Sequence, residues 1–265
     1  MKKILFPVLA AVLAASGVQA QDWAKAKLEK SPRHTEFIKI KHDNREVESF
    51  IAYPEVKEKA TAVVVIHEIF GLSDWARELT DELAAEGYIA IAPDLLWGKG
   101  TNGGGTVELG QTGVQRAIGS LPQDQITADL NAAVAYVSKL DSCNGKVVVV
   151  GFCWGGGQTI DFASKNKDIK AALSFYGPIP NDVSGLSKIT APLYGFYGEN
   201  DNRVDAGIPR ATDAMKAAGK FYEPVIYTGA GHGFMRGGED PQGREADKKA
   251  RDDAWKRVRE ILKKI

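Results

Sequence analysis

The stretch that most constrains the fold is residues 147–157, Val-Val-Val-Val-Gly-Phe-Cys-Trp-Gly-Gly-Gly. A run of four valines has no polar face, so it predicts a strand that is buried on both sides. The glycine-rich turn after the valines leads into a helical pattern. We therefore expect this strand to lie inside a sheet that is covered on both of its faces.

Cys153 lies at the turn between this strand and the helix, and Gly151 and Gly155 flank it. The order strand, Gly-x-nucleophile-x-Gly, helix is that of a nucleophile elbow, a sharp turn that lifts a reactive side chain clear of the sheet. We expect a positive φ at Cys153, and side chains at the two glycines would collide as strand and helix close on each other. The alternative is that Cys153 is a buried structural thiol.

From residue 61 onward, buried strands alternate with amphipathic helices. The predicted strands are 62–66, 88–92, 146–150, 169–175, 191–197 and 222–227, and the predicted helices are about 74–86, 123–140, 155–165, 204–218 and 243–263. This alternation predicts an α/β fold, with a mainly parallel sheet flanked by helices on both faces. Before it, residues 34–41 and 46–53 alternate apolar and polar around a turn, which predicts an antiparallel edge hairpin. We expect residues 21–265 to form one domain.

Residues 98–122 interrupt this rhythm, because they contain eight glycines and show little periodicity. A long irregular insertion in an α/β domain usually helps to form a site, so we expect a loop near the functional centre. A disordered surface segment is the alternative.

Residues 1–20 have the pattern of a secretory signal peptide. Lys2 and Lys3 precede an apolar run over residues 4–15, and small residues near Ala20 suit cleavage after that position. The apolar run is shorter than the ~20 residues that a bilayer span needs. We therefore expect a periplasmic or secreted protein that is not attached to a membrane after cleavage.

The charge of the chain is balanced, with 34 basic and 34 acidic residues. Removal of the first 20 residues would leave 32 basic against 34 acidic residues. This balance gives no electrostatic argument for nucleic acid or an anionic membrane as a partner. We expect a small-molecule substrate as the partner, and we favour a monomer.

The two cysteines, Cys143 and Cys153, are not expected to form a disulfide. The strand between them advances ~3.3 Å per residue, so its whole length separates the two Cα atoms by more than the ~7 Å that a disulfide allows. No pair of histidines has metal-ligand spacing, and no phosphate-binding or dinucleotide-binding glycine motif is present. We therefore expect neither a metal nor a cofactor.

Four reactive residues directly follow predicted strands: Glu68, Cys153, Asp201 and His232. Ligands of open α/β sheets bind at the carboxyl ends of the strands, so these side chains are expected to converge. The chain order nucleophile, acid, histidine is that of the α/β-hydrolases. In this interpretation His232 takes the thiol proton and Asp201 orients the imidazole. The histidine and the amino end of the helix after Cys153 stabilise the thiolate.

Other interpretations remain open for some of these residues. Glu199 and Asp205 lie close to Asp201, and the segment around them could be only a polar turn that caps the next helix. Glu68 could likewise be a simple loop or helix cap. The remaining histidines, His34, His42 and His67, are interpreted as structural or surface residues.

An oxyanion hole is expected beside the thiol. Its two donors would be the backbone N–H groups of Trp154, directly after the nucleophile, and of Ile69, in the first strand-to-helix loop.

Five segments together resemble the dienelactone hydrolase family, over roughly residues 34–263. They are His-Glu-Ile-Phe-Gly-Leu at 67–72, Ala-Pro-Asp-Leu at 92–95, Gly-Phe-Cys-Trp-Gly-Gly at 151–156, the turn at Asp201, and Gly-His-Gly-Phe at 231–234. The resemblance implies an α/β-hydrolase fold and a triad of Cys153, Asp201 and His232. It also implies hydrolysis of an ester or lactone through a thioester acyl-enzyme, without metal or organic cofactor. Glu68 would hold the resting thiol and move aside when substrate arrives.

Members of this family that act on dienelactone grip its carboxylate with two arginines. Arg236, four residues after His232, matches one of them, whereas the other position is occupied by Gly98, between Trp97 and Lys99. Substitution of the missing arginine by Lys99 is left open. The resemblance therefore implies that Arg236 and Trp97 contact substrate, but the departure at Gly98 argues against dienelactone itself. A thioesterase or other acyl hydrolase on the same triad is an alternative, as is a non-catalytic binding protein with this fold.

Overall fold

The computed structural model describes residues 21–265, so the predicted signal peptide lies outside the described residues. The strands are β1 (Thr35–His42), β2 (Arg45–Ala52), β3 (Ala60–Ile66), β4 (Ile89–Pro93), β5 (Cys143–Phe152), β6 (Ala171–Phe175), β7 (Leu193–Gly198) and β8 (Tyr222–Tyr227). They form one sheet in the order β1-β2-β4-β3-β5-β6-β7-β8. The β1–β2 and β2–β4 pairs are antiparallel, and every other pair is parallel. The predicted mainly parallel sheet with an antiparallel edge hairpin is confirmed.

The helices lie between and after these strands. They are α1 (Asp22–Leu28), α2 (Asp74–Ala85), α3 (Thr106–Ile118), α4 (Gln123–Ser138), α5 (Trp154–Lys165), α6 (Asn202–Asp205), α7 (Ile208–Ala217), α8 (Phe234–Glu239) and α9 (Glu245–Leu262), with a 3₁₀ helix at Ser184–Lys188. Within residues 21–265, no helix combines the length and the apolar character that crossing a membrane requires.

The valines of β5 divide between two hydrophobic cores, one on each face of the sheet. Val147 and Val149 belong to the core that α4, α5 and α7 cover. Val148 and Val150 belong to the core that α1, α2 and α9 cover. Each fully buried valine contributes roughly 1.5–3 kcal/mol, so a polar residue on either face would be costly. The expectation of a strand buried on both sides is confirmed.

The interpretation of residues 98–122 as irregular is wrong, because most of the segment forms α3. Gly110 has a φ of 59° inside this helix and kinks it. Glycines lower helix propensity and hide the pattern, but Val114 and Ile118 lie one turn apart and pack into a small core of their own. Tertiary packing therefore overrides the weak local preference.

Thr106, the first residue of α3, forms hydrogen bonds with the loops that follow β3 and β4. Asp94 accepts hydrogen bonds from the backbone N–H of Thr106 at 2.7 Å and from its hydroxyl at 2.8 Å. The same hydroxyl accepts a hydrogen bond from the backbone N–H of Leu72 at 2.9 Å. The insertion is thus anchored to the loops that follow β3 and β4.

The helix predicted at 204–218 is two helices, α6 and α7, and α8 was not predicted. Pro209 lies in the first turn of α7 and lacks a backbone N–H, so it starts a helix readily but cannot continue one. In α8 the sequence Phe-Met-Arg-Gly-Gly-Glu contains two glycines in six residues, which weakens the helical pattern.

The turn at Cys153 has the geometry predicted for an elbow. Cys153 has a φ of 54°. A Cβ on Gly151 would lie 2.1 Å from the carbonyl oxygen of Gly155, and a Cβ on Gly155 would lie 2.3 Å from that of Ile66. Only glycines allow β5, α5 and the end of β3 to approach this closely.

We expect Gly155→Ala to reduce the free energy of unfolding by about 1–3 kcal/mol, because the added methyl group meets backbone atoms that cannot rotate away. Urea unfolding monitored by circular dichroism measures the change. Gly119→Ala is the matched control, since a Cβ there has nothing within 4 Å. Equal stability of the two variants would contradict this account of the elbow.

Candidate active site

Glu68, Cys153, Asp201 and His232 each follow the carboxyl end of a strand, namely β3, β5, β7 and β8. In a parallel sheet these ends lie along one edge, so residues that are far apart in sequence become neighbours. The structure brings Cys153, His232 and Asp201 into contact at this edge, and the buried carboxylate of Glu68 lies near enough for its charge to act on the thiol.

Three of these side chains form a continuous chain of contacts. The Nε2 atom of His232 lies 3.1 Å from the sulfur of Cys153. The Nδ1 atom of the same ring lies 2.5 Å from Oδ2 of Asp201, which is buried. Such an arrangement can move the thiol proton to the imidazole while the carboxylate holds the ring and stabilises its charged form.

Of the three neighbouring acids, Asp201 is the one that contacts His232 in the described structure. Glu199 instead accepts a hydrogen bond from the backbone N–H of Gly229 at 2.8 Å. Burial and the charge of Asp201 raise the pKa of Asp205 to about 6. The geometry thus distinguishes between acids that sequence position alone left as alternatives.

The loop that carries His232 is fastened to the rest of the fold on both sides. The backbone N–H of Gly231 donates to Asp247 of α9 at 2.9 Å. The backbone N–H of Asn200, next to Asp201, donates to the carbonyl of Ala230 at 2.9 Å. These bonds hold the base and the acid in one unit.

The surroundings of Cys153 do not lower the pKa of its thiol. Burial and the nearby charge of Glu68 raise its pKa to about 11, although hydrogen bonds from two backbone N–H groups act in the opposite direction. The thiol therefore keeps its proton at neutral pH. The sequence predicted that the helix terminus stabilises a thiolate, but the cost of burying the charge outweighs that effect. Cys153 and Cys143 are both unpaired, as predicted.

The two backbone donors are the N–H groups of Trp154 and Ile69, and both act to lower the pKa of the Cys153 thiol. They belong to different loops, one after β5 and one after β3. The carbonyl oxygen of a substrate bound beside the sulfur could accept hydrogen bonds from both N–H groups at once. The arrangement can stabilise negative charge beside the nucleophile.

Glu68 is buried beside the thiol, but its hydrogen-bond partners are other residues. Arg236 donates through Nε to Oε2 of Glu68 at 2.8 Å, and the hydroxyl of Tyr176 donates to Oε1 at 3.4 Å. Within residues 21–265, the side-chain partner of the Cys153 sulfur is His232. In this structure Glu68 acts on the thiol through its charge rather than through a hydrogen bond.

Tyr176 is part of this site, although sequence reasoning missed it. Its side chain is fully buried, and its ring packs edge-on against the ring of His232 with centroids 5.1 Å apart. It directly follows β6 and has a φ of 37°. Its position after a buried strand, like that of Cys153, was the available signal.

Arg236 contacts two residues of the loop after β3. Besides its bond to Glu68, its guanidinium lies 5.0 Å from the ring centroid of Phe70. Gly98, at the position where the family carries its other arginine, has a φ of +85°. The nearby arginine is Arg45, which donates to the backbone carbonyl of Trp97 at 2.7 Å. Neither guanidinium is free in this conformation.

Trp97 lines a cavity of about 460 Å³ together with Phe37, Glu48 and Arg77. The ammonium group of Lys39 lies 5.3 Å from the centroid of the Trp97 ring. Among the described residues that line this cavity, none comes from the Cys153, His232 and Asp201 group. The structure thus puts Trp97 beside α3 rather than in contact with the thiol.

A cluster of carboxylates lies outside this site, where Glu78, Glu82 and Glu239 bring oxygen atoms within 4.8 Å of one another. Lys27 lies 2.6 Å from Glu239, and Arg251 lies 2.5 Å from Glu82. Burial, with the hydrogen bond to Glu239, raises the pKa of Glu78, so this group retains its proton. The cluster is therefore balanced by its own cations, and it joins α1, α2, α8 and α9.

A mainly parallel sheet with a nucleophile elbow after β5, an acid after β7 and a histidine after β8 defines an α/β-hydrolase. The sequence profile of the dienelactone hydrolase family matches residues 47–265. The chain belongs to the dienelactone hydrolase family, and membership indicates a hydrolase of carboxylic esters or lactones.

Individual relatives agree with this assignment. A Saccharolobus solfataricus protein that carries the name carboxymethylenebutenolidase is 30% identical over 259 residues, covering 84% of this chain and 96% of its own. One from Salmonella typhimurium is 32% identical over 224 residues, covering 80% of both chains. The crystal structure of a Klebsiella pneumoniae protein named as a dienelactone hydrolase has a TM-score of 0.77 and 25% identity, with coverage of 88% and 99%.

We expect Glu68→Gln to lower the pKa of the Cys153 thiol below its value of about 11, because the repulsive charge that disfavours the thiolate is removed. The same substitution frees Arg236, whose positive charge acts in the same direction. The rate of alkylation by iodoacetamide as a function of pH measures the shift. Glu223→Gln, which removes an exposed carboxylate from β8, is the control. A profile that stayed in place or moved to higher pH would contradict the electrostatic role.

Proposed function

We propose that this protein is an exported cysteine-dependent hydrolase of carboxylic esters or lactones, which acts through a thioester acyl-enzyme. The observation that carries the proposal is the contact of 3.1 Å between the sulfur of Cys153 and Nε2 of His232, with Asp201 behind the ring. Family membership supports the reaction class, and the contact supports the assignment of the nucleophile and the base.

In the first half of the proposed reaction the sulfur of Cys153 attacks the carbonyl carbon of the ester, and His232 takes the thiol proton as the carbon–sulfur bond forms. The raised pKa of the thiol makes this coupled transfer necessary, since little thiolate exists beforehand. The carbonyl oxygen becomes negative between the N–H groups of Ile69 and Trp154. The intermediate collapses, the carbon–oxygen bond to the alcohol breaks, and His232 returns the proton to the alkoxide.

In the second half His232 takes a proton from water, and the resulting hydroxide attacks the carbonyl carbon of the thioester. The same two backbone donors receive the oxyanion. The carbon–sulfur bond then breaks, the acid product leaves, and the thiolate recovers its proton from His232. Asp201 keeps the imidazole in the tautomer that both halves require.

Glu68 is proposed to control when the thiol reacts. Its charge beside the sulfur disfavours the thiolate, and the bonds to Arg236 and Tyr176 hold the carboxylate at this position. A substrate that displaced the carboxylate from this position would relieve this repulsion. The thiol would then become more acidic in the presence of substrate.

The proposed substrates are carboxylic esters and lactones in general rather than dienelactone in particular. Gly98 stands where the family has its second carboxylate-gripping arginine, and Arg236 is already bonded to Glu68. All of the reacting groups come from one chain, which supports activity as a monomer. The pattern of residues 1–20 supports export to the periplasm or beyond.

We expect Cys153→Ala to reduce the hydrolysis of small p-nitrophenyl esters by at least about 10³-fold, because alanine has no nucleophilic atom that could form the acyl-enzyme. Steady-state rates and mass spectrometry of the acyl adduct at residue 153 measure the effect. Cys143→Ala removes the other, buried thiol and should retain the wild-type rate within a few-fold. Ester turnover by Cys153→Ala at the wild-type rate would refute the proposal.

We expect the protein made by a Gram-negative host from the full sequence to be found in the periplasm, with Gln21 as its first residue. Cell fractionation and N-terminal sequencing test the expectation. Replacement of Lys2 and Lys3 by glutamate should reduce export, because a signal peptide needs a positive amino end. Recovery of the wild-type protein in the cytoplasm with residues 1–20 attached would contradict export.

A further inference from the structure

His67 directly follows β3 and is fully buried, and the reaction described above gives it no role. Its Nδ1 atom lies 2.8 Å from the carbonyl oxygen of Glu68, the next residue. The same carbonyl oxygen accepts a hydrogen bond from the backbone N–H of Gly71 at 3.2 Å. One carbonyl group of the loop is therefore held from two sides.

The Glu68 carbonyl belongs to the peptide group that joins Glu68 to Ile69, and the N–H of that group is on the side of the nucleophile. A peptide unit is planar and trans, so the C=O of Glu68 and the N–H of Ile69 point in opposite directions from one rigid plane. That N–H acts on the sulfur of Cys153 and lowers the pKa of the thiol. Fixing the carbonyl oxygen consequently fixes the direction of the N–H, and the bond to the carbonyl also polarises the unit and strengthens its donor.

His67 also contacts the residue that supplies the other donor. Its ring stacks on the indole of Trp154, with centroids 5.6 Å apart and an interplanar angle of 17°. The backbone N–H of Trp154, like that of Ile69, lowers the pKa of the Cys153 thiol. One side chain thus contacts both loops from which the proposed oxyanion hole is built.

The protonation of the His67 ring follows from its partners. A carbonyl oxygen can only accept, so Nδ1 must carry a proton. Burial lowers the pKa of His67, so the ring is neutral and Nε2 carries the lone pair. Within residues 21–265, Nε2 is buried and has no hydrogen-bond partner. An unpaired buried acceptor is costly, and an apolar residue would fill this space without that cost.

We propose that His67 is a positioning residue that aims the backbone N–H groups of Ile69 and Trp154 at the oxyanion of the acyl-transfer reaction. The inference rests on the proposed function of Cys153. It assigns His67 a role through the two peptide groups, without contact to the substrate.

The test compares His67→Asn with His67→Leu, two side chains of nearly the same shape. The amide nitrogen of asparagine lies at the same bond separation from Cβ as Nδ1 of histidine, so it can still donate to Glu68, whereas leucine cannot. Both variants lose the ring stacked on Trp154. The difference between them therefore isolates the hydrogen bond to the carbonyl.

We expect kcat for p-nitrophenyl ester hydrolysis to fall at least about 10-fold in His67→Leu, with KM little changed, and to recover in large part in His67→Asn. Affinity for an aldehyde, whose adduct with Cys153 carries an oxyanion, should fall in parallel with kcat. The same N–H groups also lower the pKa of the Cys153 thiol. Alkylation by iodoacetamide should therefore slow in His67→Leu, but by a smaller factor than kcat, because alkylation develops no oxyanion. This last rate also reports whether the site is folded.

Equal kcat in the two variants would overturn the inference, and so would an alkylation rate that fell in parallel with kcat. If both variants fail to fold, ¹⁵N NMR of the wild-type ring decides: a proton on Nδ1 supports the proposed bond, whereas the neutral tautomer with its proton on Nε2 contradicts it. Failure of the proposed function is recognised separately. Full ester turnover by Cys153→Ala would refute the thiol mechanism. If Cys153→Ala loses its turnover but the two His67 variants have equal kcat, only the role of His67 is refuted.

Discussion

The close packing of α5 against the end of β3 is the constraint on which the site depends. Gly155 lies so near the carbonyl oxygens of Ile66 and His67 that a methyl group there would overlap them. Cys153, two residues before Gly155, has a positive φ, and its sulfur lies near two loops at once. The N–H groups of Ile69 and Trp154 reach the sulfur because the two strand ends are held this close together.

The electrostatics of the site keep the thiol protonated until a base removes the proton. Burial contributes most to this, and the carboxylate of Glu68, bonded to Arg236 and Tyr176, adds to it. A protonated thiol is a poor nucleophile and is oxidised slowly. Such a resting state suits a protein that is proposed to work outside the reducing cytoplasm, where an exposed thiolate would be lost to oxidation.

Sequence patterns predicted the parts of the fold in which local preference and burial agree. The β5 valines and the alternation of strands and helices predicted the sheet correctly. The pattern failed at α3, where glycines conceal a helix that forms because Val114 and Ile118 find a core, and at the break between α6 and α7. It also failed at Tyr176, since an aromatic residue after a buried strand is as consistent with packing as with function.

The sequence by itself determined the elements, the elbow around Cys153 and the order of the candidate groups along the chain. These follow from periodicity and from the steric freedom of glycine, which are local properties. Only the tertiary structure decided that Asp201 and not Glu199 meets His232, that Glu68 bonds to Arg236, and that His67 lies behind the Ile69 peptide. These contacts join residues on different strands, and their distances depend on strand order, register and side-chain rotamers, which no local pattern encodes.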